Sequence, residues 1–268
     1  MSFNKIIATK EYVHNLVDKH HEIVEWEVLM NDDAYYNIKT NDKFLPPTIE
    51  HPNDLKEVLN DRYIEDCSDY KGKKCIVIGN GGSVIENERG EEIDEFDLIV
   101  RNNLARYEGF EKYVGSRTDV RFMSHKTFGN ILITDEYSSY DKDYVPTSRK
   151  HHLIIRSAGN IGSIVPGFLL NINGGDNVFS ILDLDYNLHL DRLASNIHFC
   201  TVGFSAVLTM MDLGCDVYIY GMDFYNPDKK FHYFEENSEL IKNRHNHSIR
   251  QEISHIEYLL NVGKIKEF

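Results

Sequence analysis

The chain has 268 residues, a formal net charge of −14 at pH 7, and a hydrophobic share of 41%. That share supports a folded core and excludes bulk disorder. The acidic balance argues against nucleic-acid binding, which needs a basic surface, and no run of about 18 apolar residues predicts a membrane span. We therefore expect neither a nucleic-acid partner nor a transmembrane segment.

Residues 1–70 are polar and mixed, and they predict an N-terminal helical or irregular segment that packs on the core or acts as a lid. Helices are predicted at Lys10–Val28 and at Asn53–Leu59. Charged residues interrupt the first 22 positions, so no signal-peptide core is recognisable there. These features predict a cytoplasmic or otherwise soluble protein.

From Lys73 onward, short apolar runs alternate with helical stretches, which include Phe204–Leu213 and Arg250–Val262. The predicted strands are Cys75–Ile78, Leu98–Val100, Val120–Met123, Leu153–Ile155, His198–Cys200 and Val217–Tyr220. Near-continuous apolar runs are typical of strands covered on both faces. Residues 71–268 are therefore predicted to form a single α/β domain, Rossmann-like and doubly wound around a mostly parallel central sheet.

A glycine-rich turn, Gly79–Val84, follows the first of these strands. It resembles half of a dinucleotide fingerprint, but Val84 stands where the third glycine belongs. The second strand ends on Arg101 and Asn103, without the acid that would bind the ribose of NAD. An NAD-dependent oxidoreductase is therefore disfavoured, and a purely structural turn stays open. The amides of Asn80 and Asn103 suit a cytosine edge, a ribose or a phosphate.

Four sequence patterns then follow one another along the chain. The first comprises Cys75–Gly82, Glu92–Asp94, Asp97, Arg101, Asn103, Gly109–Glu111 and Val114–Thr118. The others are Thr201–Gly203 with Val217–Gly221, then His232–Glu235, and finally His247 with Glu252. In this order they resemble the long, short, third and very short sialylmotifs of glycosyltransferase family 29, the eukaryotic-type sialyltransferases. The stretch Gly221–Tyr225 also resembles bacterial sialyltransferases of family 42.

This resemblance implies a GT-A-like sialyltransferase variant of the fold and a CMP-sugar-dependent enzyme. Its reaction would move sialic acid, or a related 2-keto acid sugar, from the CMP donor to a hydroxyl of a glycan or glycolipid, with inversion. No metal or other cofactor is implied. Asp141–Asp143 and Asp183–Asp185 imitate metal-binding acids, but paired acids in polar loops are usually solvated. An enzyme of this kind could also be peripheral to the membrane that carries its acceptor.

The same resemblance assigns roles to individual residues. His247 is the expected general base, because histidine titrates near working pH. His232 and Tyr225 are expected to donate hydrogen bonds to the departing phosphate, and Glu252 is expected to support the site by positioning. The expected donor-binding residues are Asn80, Gly81, Ser83, Asn103, Thr201, Val202, Gly203, Gly221 and Tyr225.

Some of these residues also have structural interpretations. Thr201 and Gly203 begin a predicted helix, so phosphate could meet backbone N–H groups there, while Thr201 could equally be a helix N-cap. Arg101 and Arg117 are interpreted as residues that hold the first motif together. The loop Ser138–Lys150 and the N-terminal segment are interpreted as regions that select the acceptor.

The four cysteines show no CxxC spacing, so neither a zinc site nor a disulfide scaffold is predicted. Family members pair a long-motif cysteine with a short-motif cysteine. Cys75 matches the first, whereas Gly214 occupies the second position and Cys215 is displaced by one, so pairing stays open. Two other functions also stay open: a CMP-Kdo transferase with the same site, and a non-catalytic CMP-binding protein.

Overall fold

The computed structural model describes residues 5–15, 60–103, 105–124, 152–156, 178–194, 199–226, 228–234 and 247–268. The chain divides into two compact units. The first unit comprises Met1–Asp66 and Met123–Leu184, and the second comprises Cys67–Phe122 and Asp185–Phe268. The boundary expected at residue 70 stays a prediction. The helix predicted at Asn53–Leu59 and the loop Ser138–Lys150 lie outside the described residues.

The strands are β1 (Lys74–Ile78), β2 (Leu98–Asn102), β3 (Val120–Ser124), β4 (His152–Arg156), β5 (Val178–Ile181), β6 (Asp216–Tyr220) and β7 (Lys266–Glu267). The helices are α1 (Gly90–Asp94), α2 (Glu111–Val114), α3 (Leu184–Ala194), α4 (Val202–Asp212) and α5 (Ile249–Asn261). In the second unit, described helices lie between β1, β2 and β3 and between β6 and β7. The strand pairs given by residue register are all parallel. The α/β class and the parallel sheet predicted from the sequence are confirmed.

The second unit is built on the strand order β3-β2-β1-β6-β7. In this register Cys75 lies opposite Leu98 on one side and Val217 on the other. The chain runs from β1 outward to β2 and β3, and later places β6 on the opposite side of β1. Ligands of open α/β sheets bind at the carboxyl ends of strands where the order reverses. In this unit that point lies between β1 and β6.

The centre of the sheet in the second unit is buried, because β1 carries the apolar run Cys75–Ile78 and β2 the apolar run Leu98–Val100. All five residues of β2 are buried, as are the last four of β1. Helix α4 packs against β1, β2 and β6. A core cluster gathers residues from β1, β2, the connections that follow them and the segment after β6: Ile76, Ile78, Val84, Ile93, Phe96, Ile99, Tyr107, Val114 and Tyr233. This rigid base holds the loops that follow the strands.

The first unit contains the parallel pair β4 and β5, with Leu153 opposite Phe179. The ring of Tyr63 meets the ring of Phe179 edge to face at 5.4 Å, and its hydroxyl donates to the carbonyl of Ala8 at 2.6 Å. Residues 10–15 are helical, which is the described part of the helix predicted at Lys10–Val28.

Two arginines of the first motif donate hydrogen bonds to backbone carbonyls, which agrees with the structural role predicted from the sequence. Arg101 is fully buried, and its guanidinium donates to the carbonyls of Val114 and Arg117 at 2.6 and 3.0 Å. Arg117 donates to the carbonyl of Asp94 at 2.6 Å. Neither side chain lines the pocket described below.

One predicted strand, His198–Cys200, is wrong over its described part, because Phe199 and Cys200 are not in a strand. Side chains form hydrogen bonds with the backbone N–H and carbonyl groups that a neighbouring strand would otherwise bond. The Cys200 N–H donates to Asp191 Oδ1 at 2.8 Å, and the Phe199 carbonyl accepts from His247. Strands β5 and β7 were not predicted.

The cysteines of the chain are buried free thiols. The Cys215 thiol donates to the Tyr70 carbonyl at 3.3 Å, and the neighbouring Cys215 side chain together with burial raises the pKa of Cys75. Within the described ranges, no helix combines the length and the apolar character needed to cross a membrane.

Candidate functional site

A pocket opens at the carboxyl ends of β1, β2 and β6, where the strand order reverses. It is bounded by the glycine turn, the end of β2, the start of α4 and the segment after β6. The lining residues are Gly79, Asn80, Gly81, Asn102, Asn103, Thr201, Val202, Gly203, Gly221, Met222, Asp223, Phe224, Tyr225, Asn226, Lys230, Phe231 and His232. Most of the residues expected to bind the donor therefore lie together, whereas Ser83, His247 and Glu252 lie outside this lining.

Two glycines let the ends of β1 and β6 meet at the bottom of the pocket. A Cβ on Gly79 would lie 2.1 Å from the carbonyl oxygen of Gly221. Gly221 has φ +65°, and a Cβ there would lie 2.0 Å from Val84 Cγ1. The Gly81 N–H donates to the Gly221 carbonyl at 3.2 Å. This wall of the pocket is therefore backbone, which lets a ligand approach closely.

Two amides contribute unpaired acceptors. Asn102 is 4% exposed, and its Nδ2 donates to the carbonyl of Ile78 at 3.0 Å. Asn80 Nδ2 donates to the carbonyl of Asn102 at 3.4 Å. Among the described residues, the buried Oδ1 atoms of Asn80 and Asn102 have no hydrogen-bond partner. Because an unpaired buried acceptor costs about 1–3 kcal/mol, the two oxygens point to a ligand that carries hydrogen-bond donors.

The sequence motifs predicted Asn103, but not Asn102, as a donor-binding residue. Asn103 also lines the pocket, but its backbone N–H and carbonyl bond Phe122 and Arg121 at 2.7 Å each. The signal was present, because consecutive residues at a strand end point to opposite faces. The adjacent amides Asn102 and Asn103 at the end of β2 are therefore equal candidates on sequence grounds.

The N-terminus of α4 forms the opposite wall. Thr201 caps the helix, since its Oγ1 accepts from the Phe204 N–H at 3.1 Å. The fully buried Glu252, in the first turn of α5, accepts from the Thr201 N–H at 2.8 Å and from the Thr201 hydroxyl at 2.6 Å. The hydroxyl is thus used within the protein, and the wall offers the first backbone N–H groups of the helix and its positive dipole end.

His247 lies beside the pocket, immediately before α5. Its Nδ1 is 2.8 Å from the carbonyl oxygen of Phe199. A carbonyl can only accept, so a neutral imidazole carries its hydrogen on Nδ1 and its lone pair on Nε2. The ring lies parallel to that of Tyr225, with the centroids 6.4 Å apart. Tyr225 lines the pocket and so connects His247 to it.

An aromatic row continues from Tyr225 along the pocket. Tyr225 stacks on Phe231 at 4.9 Å, Phe231 contacts the ring of His232 at 4.4 Å, and His232 stacks on Phe234 at 5.3 Å. Phe224 and Tyr225 both have positive φ, +47° and +57°. Such backbone is uncommon for bulky residues and clusters at binding sites. Glu235, the last residue of the third motif, lies outside the described residues.

Ser83, for which donor binding stays a prediction, anchors Asp223. The Ser83 N–H donates to Asp223 Oδ2 at 2.9 Å, and the Ser83 hydroxyl donates to Oδ1. Asp223 itself lines the pocket and was not singled out in the sequence, although it lies within Gly221–Tyr225. The other lining residues not expected from the sequence are Gly79, Met222, Phe224, Asn226, Lys230 and Phe231.

Comparison with known proteins places the chain in a family. The family model for glycosyltransferase family 29 (sialyltransferase) matches residues 16–155, more than half of the chain. A human CMP-N-acetylneuraminate-beta-1,4-galactoside alpha-2,3-sialyltransferase is 25% identical over 73% of this chain and 57% of its own length. A beta-1,6-galactosyltransferase of Arabidopsis thaliana is 32% identical over 31% of this chain and 18% of its own length.

Solved structures agree in fold. The crystal structure of a mammalian sialyltransferase matches with a TM-score of 0.58 and 17% identity, covering 88% of this chain and 85% of that chain. This likeness is consistent with a Rossmann-like, GT-A-like fold. The chain spans less than two thirds of the length of the sialyltransferase relatives it matches. On the family match, the chain belongs to glycosyltransferase family 29, the sialyltransferase family.

Proposed function

We propose that this protein transfers sialic acid, or a related 2-keto acid sugar, from its CMP-linked donor to a hydroxyl group of a glycan or glycolipid. The reaction inverts the anomeric carbon and needs neither a metal nor another cofactor. The proposal rests on membership of family 29 together with the pocket between β1, β2, β6 and α4. The relatives named as sialyltransferases support the choice of donor.

The proposal rests on one observation: one wall of the pocket presents hydrogen-bond acceptors, and the opposite wall presents the N-terminus of a helix. The Asn80 and Asn102 oxygens are acceptors in need of donors, which the amino group and hydroxyls of cytidine supply. The N-terminus of α4 opposite them suits the phosphate. A nucleoside monophosphate linked to a sugar therefore complements both walls.

The chemistry follows from the groups beside the pocket. The acceptor hydroxyl attacks the anomeric carbon, the bond from that carbon to the phosphate oxygen breaks, and the hydroxyl proton passes to Nε2 of His247. CMP leaves with the electron pair of the broken bond. His232 and Tyr225, which line the pocket, donate hydrogen bonds to the charge that develops on phosphate. The transition state is oxocarbenium-like, as in other glycosyl transfers.

Incubation with CMP-sialic acid and a panel of glycan acceptors tests the activity, with CMP release and sialylated product as readouts. His247→Ala is expected to lower kcat by roughly 10²–10⁴-fold, the usual contribution of a positioned base, while CMP still binds. His245→Ala, two residues earlier, is the matched control and keeps wild-type turnover. Undiminished CMP release by His247→Ala would reject the base assignment.

The identity of the sugar is tested separately, because the relatives are named for transfer of different sugars. The human relative is named for sialic acid and the Arabidopsis relative for galactose. CMP-sialic acid and CMP-Kdo are compared in competition for the same site, with turnover of each. Preference for CMP-Kdo would reassign the donor and keep the site. CMP binding without turnover of either donor would indicate a binding protein, and NAD binding without CMP binding would reject the proposed function.

A further inference from the structure

Asp223 places a fixed negative charge in a pocket for which we propose an anionic donor. Its carboxylate lies over the glycine turn, since a Cβ on Gly81 would be 2.3 Å from Oδ2. Ser83 anchors both oxygens, one through its N–H and one through its hydroxyl. A carboxylate oxygen can accept more than one hydrogen bond. Asp223 therefore keeps acceptor capacity while its orientation is fixed.

The position of Asp223 relative to α4 separates it from the expected phosphate position. The preceding residue, Met222, faces the helix, because a Cβ on Gly203 would lie 3.4 Å from the Met222 sulfur. Asp223 faces the glycine turn instead. The segment after β6 thus turns an apolar side chain toward the start of α4 and a carboxylate away from it. A bound anion would gain from the helix end and be repelled by Asp223, so the two features orient the ligand.

We propose that Asp223 is a specificity-determining residue that accepts hydrogen bonds from hydroxyl groups of the donor nucleotide sugar. This inference rests on the proposed CMP-sugar function. The hydroxyls belong either to the ribose or to the transferred sugar, and both present the donors that a carboxylate requires. Together with the Asn80 and Asn102 oxygens, Asp223 makes this wall an acceptor surface.

The test compares ligands on the same preparation of the full chain, so that partial misfolding cancels in the ratio. Dissociation constants are measured for CMP, 2′,3′-dideoxy-CMP and CMP-sialic acid with wild type and with Asp223→Asn. Asparagine keeps the shape but replaces one acceptor oxygen and removes the charge. Asp228→Asn is the matched control, because Asp228 is exposed on the same segment and does not line the pocket.

If Asp223 reads the ribose, wild type prefers CMP over the dideoxy nucleotide by about tenfold or more, and Asp223→Asn removes most of that preference. If it reads the transferred sugar, Asp223→Asn weakens CMP-sialic acid by a similar factor and leaves CMP unchanged. Either result supports the proposal. An equal change for all three ligands, or none, would overturn it. Failure of wild type to bind CMP and CMP-sialic acid would instead reject the proposed function.

Discussion

Two regions of the second unit use ionisable side chains for different purposes. Between β2 and β3, the guanidiniums of Arg101, Arg117 and Arg121 bond backbone carbonyls. Around the N-terminus of α4, Glu252 and His247 instead hold Thr201 and Phe199, which lead into the pocket. An ionisable residue within a motif therefore need not touch the ligand. Mutations in the first region are expected to change the stability of the fold, and mutations in the second region are expected to change enzymatic activity.

The largest expected effect is on stability, in the first region. Arg101→Met keeps much of the volume but leaves the carbonyls of Val114 and Arg117 without this donor. Each buried carbonyl left unpaired costs about 1–3 kcal/mol, so the free energy of unfolding should fall by about 3 kcal/mol or more. Urea unfolding measures it, with the exposed Lys112→Met as control. Loss of CMP binding at an unchanged urea midpoint would show that Arg101 acts in ligand binding rather than in stability.

A buried histidine in the first unit provides a further case of an ionisable group used for structure. His152 lies in β4, with Nε2 2.6 Å from the hydroxyl oxygen of Ser180, and Ser180 donates to the Ile64 carbonyl. Burial lowers the pKa of His152 to about 4. Its unfolded value is near 6.5, so the unfolded state takes up the proton first as pH falls. Stability is expected to drop by about 3 kcal/mol between pH 6.5 and pH 4.

The measurement is a set of urea midpoints for wild type and His152→Gln at pH 7 and pH 4.5. Glutamine can still donate to Ser180 but does not titrate. Acidification is expected to destabilise wild type more than the variant, because only wild type must charge the buried ring. An identical loss in both proteins would show that other groups carry the acid sensitivity.

In the second region, Glu252→Gln is expected to act on turnover. Glutamine has one acceptor oxygen, so the Thr201 N–H and hydroxyl can no longer both bond carboxylate oxygens. We expect kcat/KM to fall by about tenfold, because Glu252 positions the start of α4. Glu257→Gln changes an exposed acid on the same helix and is the control. A lower unfolding midpoint with unchanged kcat/KM would make Glu252 purely structural.

The smallest expected effect is at Gly203, where stability and CMP affinity are expected to respond differently to one substitution. A Cβ on Gly203 would make ordinary contacts with Met222 at 3.4 Å and with Asn102 Nδ2 at 3.8 Å. Gly203→Ala should keep or raise stability, by about 0.5–1 kcal/mol, because alanine favours helix. The methyl nevertheless enters the pocket, and we expect CMP affinity to fall by about fivefold. Titration of CMP, set beside urea unfolding, checks both. Unchanged affinity would remove Gly203 from the binding wall.

Much of this molecule could be predicted from local pattern. The strands beginning at residues 74, 98 and 216 and the helices α4 and α5 were predicted to within a few residues, because buried runs and amphipathic periods are local signals. The segment at His198–Cys200 misled the prediction for the opposite reason. Phe199 and Cys200 are apolar, but their backbone groups bond the side chains of Asp191, nine residues away, and His247, 48 residues away.

The sequence by itself determined the α/β class and the glycine turn, since these depend on neighbours along the chain, whereas the expected pocket residues came chiefly from the resemblance to family 29. Tertiary structure alone decided that β6 lies beside β1, and therefore that Asp223 and the glycine turn share a pocket. It also decided that the Asn102 oxygen has no hydrogen-bond partner among the described residues, and that Ser83 donates to Asp223. Such contacts join residues up to 140 positions apart, and no local pattern encodes which of them meet.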